Sequence, residues 1–181
     1  RQSSPTINYG DSQQMLAGES GEGRFISYLG FDIKLPDNIE IESIKLVLNK
    51  QYETSKRFLM GLYETSDDWN EYDITWSFRP LDEKYIAQFP IPTEEGRVEV
   101  DITDFNRLEG KKSFILRPRN YALSELIAFG TRESMNPPYI EVTYYEIIDN
   151  VGSYTFDSSI TVRRLVNRDI SARIDVQSDY V

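Results

Sequence analysis

The strongest constraint on the fold of this chain is a hydrophobic period of two. "FDIKL" sets Phe31, Ile33 and Leu35 on one face and Asp32 and Lys34 on the other. "SIKLVLNK" repeats the pattern with Ile44, Leu46 and Leu48. "RVEVDI" alternates Val98, Val100 and Ile102 with Arg97, Glu99 and Asp101, and "YIEVTYYE" alternates Ile140, Val142 and Tyr144 with Glu141, Thr143 and Tyr145. Successive side chains of a strand point to opposite faces, so this pattern builds strands with one face buried and one in water. "FLMGLY" and "SFILRP" read as more fully buried strands. Helical patterning is scarce. Its best instance is one short turn after "DITD", with Thr103 or Asp104 as the cap of "FNRLE" and Gly110 as the stop. Many strands with turn residues between them predict an all-β chain. The expected fold is an antiparallel β-sandwich of the jelly-roll kind, followed by a short repetitive β-tail.

The chain has 181 residues, the size of one domain or of a domain with a small appendage. Twelve Tyr and nine Phe supply bulky residues for a sandwich interior. The composition changes near "IIDNVGS". The last 31 residues hold four Arg and four Asp, so the whole net charge of −10 lies in residues 1–150. "SSITV" (Ser158 to Val162) and "ARIDV" (Ala172 to Val176) share a small-x-Ile-x-Val pattern at an offset of 14. They read either as stacked strand-turn-strand repeats or as an ordinary hairpin. The expected division is a sandwich over 1–148 and a tail over 149–181 that joins copies of the chain or further repeats. The chain begins at Arg1 rather than Met, which suggests a piece of something longer.

Charge and missing residue types narrow the chemistry. A net charge of −10 argues against nucleic acid, which needs clustered Lys and Arg, and against anionic membranes. No window approaches the length of a transmembrane helix. There is no Cys and no His, which removes disulfides, thiol catalysis, Cys/His zinc sites and His-based triads. Carboxylate chemistry and oxygen-ligated calcium survive. With 30 acids, pairs arise by chance and no pair stands out, so no enzyme is expected. The candidate calcium ligands are Glu19 and Glu22 in the Gly-rich "ESGEG" loop and Asp101 and Asp104 of "DITD"; no spacing matches a calcium loop, and the favoured readings are a solvated loop for the first pair and a cap or strand-end turn for the second.

The stretch "DWNEYDITWSFRP", Asp68 to Pro80, holds both tryptophans. Aromatic rings beside carboxylates suit sugar binding, because apolar CH groups of a sugar lie on a π-face. Trp69, Glu71 and Tyr72 are therefore the candidate ligand-binding residues. The structural alternative places Trp76 in the core, on a strand where it shares a face with Ile74, and gives Glu71 to loop amides. Arg117, Arg119 and Arg132 suit acidic sugars or internal pairing with the excess of acids.

The order of motifs resembles the DNRLRE domain family, which overlaps carbohydrate-binding modules of the disaggregatase and alginate-lyase-associated type. The resemblance covers residues 1–145. It runs through "INYGDSQQMLAG", "RFISYLGFDI" with "IESIKLVL" (which lacks the usual alanine), and "DWNEYDITWSFRP", close to Trp-x-Glu-x-x-x-Thr-Trp-x-x-x-Pro. "VEVDITDFN", "FILRP", "FGTRES" and "PPYIEVTY" follow in the family's order. It implies a β-sandwich of cell-surface and secreted proteins, often without catalysis of its own. The tail "DSSITVRRLVNRDISARIDV" is similar to short repeats in tail and fibre proteins of phages. Together the two resemblances imply a structural or attachment module of a phage virion, with other virion proteins or copies of itself as partners through residues 151–181. The alternative is a carbohydrate-binding module that meets a surface polysaccharide outside the cell.

Overall fold

A computed structural model describes residues 1–105, 108–120, 125–147 and 179–180. Two antiparallel sheets face each other, as the alternation predicts. Ten strands carry the fold: β1 (Gln14–Ser20), β2 (Gly23–Phe25), β3 (Ser27–Ile33), β4 (Ile39–Lys50), β5 (Phe58–Thr65), β6 (Lys84–Ile91), β7 (Gly96–Asp101), β8 (Gly110–Pro118), β9 (Leu126–Gly130) and β10 (Tyr139–Glu146). The first sheet runs β10-β4-β9-β1-β2 with β7 also paired to β4. The second runs β3-β8-β5-β6, and a two-residue strand β11 (Asp179–Tyr180) pairs with β3 at Gly30 and Leu29. The rest of the expected tail, its repeats included, lies outside the described residues.

The long β4 organises the first sheet. It pairs with β10 over Ile39–Val47, with β7 over Lys45–Lys50, and with β9 at Lys50. Its inward residues Ile44, Leu46 and Leu48 are fully buried. Across the core they belong to one cluster with Leu29, Phe31 and Ile33 of β3, Met60 and Leu62 of β5, and Phe114 and Leu116 of β8. A one-residue slip of β4 would turn its three apolar side chains to water at roughly 1.5–3 kcal/mol each, so the register is strongly held.

"SFILRP" is buried on both faces for a specific reason. Phe114 and Leu116 point into the core, while Ile115 points out and joins a second, smaller cluster with Tyr28, Tyr63 and Ile74. That cluster lies beneath the connection between β5 and β6, residues 66–83, which covers the outer face of the second sheet. "FLMGLY" is buried less completely than its run of apolar residues suggests, because Leu59 points outward and is 54% exposed. The short helix expected after "DITD" falls partly outside the described residues, and the described ones that lead into it form a turn. Asp101 Oδ1 accepts from the Thr103 N–H (2.9 Å) and hydroxyl (2.6 Å), and the Phe105 N–H bonds Ile102 O (2.8 Å). The Asp side chain thus closes a turn at the end of β7.

Candidate functional site

The "DWNEYDITWSFRP" stretch forms no strand. Its backbone groups are satisfied locally instead. Asn70 Oδ1 accepts from the Tyr72 N–H (2.9 Å), and Asn70 O accepts from the N–H groups of Asp73 (3.1 Å) and Ile74 (3.0 Å). An Asn that bonds the backbone two residues on favours such a turn. Further along, Thr75 Oγ1 accepts from the Phe78 N–H (3.2 Å) and Pro5 O from the Ser77 N–H (2.9 Å). With no ladder, alternation does not govern where the rings go. Ile74 is buried, but Trp76 is only half-buried and lies outside both apolar clusters, contrary to the core position expected for it. Arg79 stacks on Trp76, 4.0 Å from the ring centre, and donates to its carbonyl. Trp69 is the tryptophan that packs: its ring meets Tyr28 edge-on at 6.0 Å and its Nε1–H donates to Ser113 Oγ (2.9 Å).

Three distant segments interlock around Glu71. Asn8 donates to Glu71 O (2.6 Å) and Ile74 O (2.8 Å) and accepts from the Gly10 N–H (2.8 Å). Gly10 fits a tight place: a Cβ there would lie 3.0 Å from both Glu71 Cγ and Glu71 O, so those atoms would have to give way. Glu71, 2% exposed, holds Arg132 through a 2.9 Å ion pair. Burial opposes the charge on Arg132, but its bond to Glu133 and the charge of Glu71 prevail and raise its pKa. Thr131 fastens the same loop to the segment before β1, donating its hydroxyl to Ser12 O (2.7 Å). Gly130 lets the loop lie flat, since a Cβ would meet Ser134 Oγ at 2.5 Å and Asn136 O at 2.8 Å. These contacts explain why "INYGDS", "DWNEYD" and "FGTRES" occur together in one chain.

Two cavities adjoin this junction. The smaller, about 110 Å³, lies among Ile7, Tyr9, Tyr28, Thr75, Trp76 and Arg79. Its rings are already engaged, Trp76 by Arg79 and Tyr9 by Arg1 at 5.8 Å. The larger is an open cleft of about 530 Å³ where the ends of β4 and β7 meet the loop after β9. Gln13, Asn49, Gln51, Tyr52, Glu95 and Asn136 are among the residues lining it. The Tyr52 side chain is 55% exposed; its hydroxyl takes a hydrogen bond from Gln14 Nε2 (2.5 Å), and no other described residue stacks on its ring. Among the described residues the side-chain amides of Gln13, Asn49 and Asn136 have no partner. Amides offer two donors and an acceptor each, a match for neighbouring hydroxyls.

The cleft has acids but no free cation among its described lining residues. Glu95 and Glu133 line it. Arg97, next in chain to the lining Gly96, is held by Glu99 (2.8 Å) and Glu141 (2.9 Å). Lys50 also lines the cleft but is 1% exposed, and four protein oxygens surround its ammonium. Burial pulls the Lys50 ammonium below the usual lysine range, with Glu94 and Glu53 opposing that pull.

The residues singled out in the sequence are placed as follows. Trp69 and Glu71 are committed to Ser113 and Arg132, while Tyr72 is 59% exposed in the loop that Arg132 reaches. Arg117 pairs with Glu83 (2.6 Å) and stacks 4.2 Å from the Tyr63 ring centre, and Arg119 bonds Gln88 (2.5 Å). Glu19 in β1 and Glu22 in the β1–β2 turn face Arg24 and Arg1 respectively, whereas Asp101 ends β7 and Asp104 follows it. Among the described residues no three acids converge as a metal site requires. The cleft residues Gln13, Asn49, Gln51, Tyr52 and Asn136 are not among those the sequence singles out. The sequence marks only their neighbour: "LVLNKQY" carries Lys50 in the core register, flanked by two amides and a tyrosine.

Compared with known proteins, residues 1–144 match the model of carbohydrate-binding module family 96. No curated protein matches the chain. The match spans the sandwich and stops short of the tail, so it bears on the carbohydrate-binding side of the resemblance and not on the fibre-type repeats. It covers most of the 181 residues, and the chain therefore belongs to carbohydrate-binding module family 96.

Proposed function

We propose that the chain binds a neutral, hydroxyl-rich polysaccharide in the Tyr52 cleft, as a non-catalytic module acting outside the cell. The observation that carries this reading is the convergence of three unpartnered amides on an exposed tyrosine ring, in a chain of a carbohydrate-binding family. The ring takes the apolar face of a sugar and the amides of Gln13, Asn49 and Asn136 take its hydroxyls. An open cleft suits the interior of a long chain better than a closed pocket does. Glu95, Glu133 and the net charge of −10 disfavour polyanions there.

The tail's repeats suggest attachment within a phage virion, and those repeats lie outside the described residues; the family favours the carbohydrate-binding alternative. The test is affinity electrophoresis in gels that hold neutral glucans, mannans or galactans, with a polyuronate gel beside them. Wild-type chain is retarded by at least one neutral polymer. Tyr52→Ala and Asn49→Ala each weaken that binding at least tenfold, about 1.4 kcal/mol. Tyr72→Ala leaves it within about twofold. Loss in Tyr72→Ala with full binding in Tyr52→Ala would move the site to the 68–80 loop.

A further inference from the structure

We propose that Lys50 is a built-in cation: its ammonium fills an oxygen cage of the kind that otherwise holds a metal ion, and the junction between the two sheets needs no bound metal at that point. Lys50 ends β4 on the same face as Ile44, Leu46 and Leu48, so its side chain enters the interior. A buried charge persists only where it is paired or hydrogen-bonded. Here Nζ meets Thr54 Oγ1 (3.1 Å), Pro92 O (2.9 Å), Thr93 O (2.6 Å) and Glu94 O (3.1 Å).

That is four oxygens for three N–H protons, more than a donor pattern requires. Three are carbonyls of consecutive residues turned toward one point, the inverse of the amide nests that bind anions. Carbonyl and hydroxyl oxygens are also ligands of hard cations. The shell of 2.6–3.1 Å is wider than the roughly 2.3–2.6 Å of calcium. It suits an ammonium or a large monovalent ion. The glutamates 53, 94, 95 and 125 add a favourable potential around it.

The position matters to the fold. β6 belongs to one sheet and β7 to the other, and residues 92–95 carry the chain across. Thr93 O also accepts from the Thr54 N–H (2.8 Å). One ammonium on β4 thus ties the crossover, the 51–57 loop and the first sheet together. This inference stands whether or not the cleft binds glycan.

Thermal melts of the whole chain test it, with Lys50→Ala, which empties the cage, and Lys50→Met, which fills it without charge. The wild-type melt is expected to be the same with EDTA and with added potassium, calcium or ethylammonium chloride. Both variants are expected to melt roughly 5–15 °C lower. Ethylammonium or potassium should restore at least half of the loss in Lys50→Ala and none in Lys50→Met. Choline chloride at equal ionic strength, too bulky for the cage, should restore neither. If Lys50→Ala fails to fold, its refolding from urea with and without ethylammonium gives the same reading. A wild-type melt lowered by EDTA, a Lys50→Met chain as stable as wild type, rescue by choline, or no rescue by any small cation each overturns the proposal.

Discussion

The two tryptophans exchange the roles that strand alternation assigns them. Trp76 looks like a core residue because Ile74 and Trp76 are two apart, yet Asn70 turns the backbone and the pair never enters a strand. Trp69 sits in what reads as a polar loop, yet it packs on Tyr28 and bonds Ser113. The residue with most at stake in this stretch is Glu71, because it is buried and carries a charge. Glu71→Ala removes the buried one of Arg132's two carboxylate partners and leaves Glu133, at about 2–4 kcal/mol. Trp76→Ala removes a half-buried ring with water beside it and costs about 1–2 kcal/mol. Urea denaturation should rank them in that order, and the reverse order would mean that Trp76 supports the fold after all.

Among the elements, the strands were legible and the loops were not. Ile44, Leu46 and Leu48 announce the inner face of β4, and Val98 and Val100 that of β7, because one buried face imposes a period of two. The same rule flags Lys50 as a charge in a core position, an anomaly that asks for partners. It is silent on the cleft. Residues 13, 49–52, 95–96 and 133–136 meet there only through the register of β1, β4, β7 and β9, and no spacing along the chain encodes that meeting. The end of β7 also carries a pH dependence. Lys45 bonds Glu99 at 2.7 Å and Thr103 bonds Asp101, and both carboxyls are held below their usual range. Their folded pKa values lie below the unfolded ones. Their contribution is therefore present above about pH 4.5 and is lost as pH falls through the folded values. Both are exposed, so the effect is small. A Glu99→Gln, Asp101→Asn double variant should show a flatter loss of stability with acid than wild type when urea midpoints are followed from neutral pH downward. An identical slope would show that these two groups do not contribute.

At the scale of the whole molecule, a two-sheet sandwich carries an open, acid-lined cleft among the described residues. The family motifs build the scaffold: Asn8, Gly10, Glu71, Gly130 and Arg132 fasten loops to one another. The residues proposed to meet a ligand lie beside those motifs, which leaves room for ligand choice to vary on a common frame. The measurement closest to this claim is backbone amide chemical-shift mapping, with neutral gluco-, manno- and galacto-configured hexaoses and a uronate oligomer added in turn. Shifts are expected to centre on Gln13, Asn49 to Tyr52 and Ser134 to Asn136, produced by a neutral hexaose and not by the uronate. Shifts centred instead on Tyr9, Trp76 and Arg79, or produced only by the uronate, would contradict it.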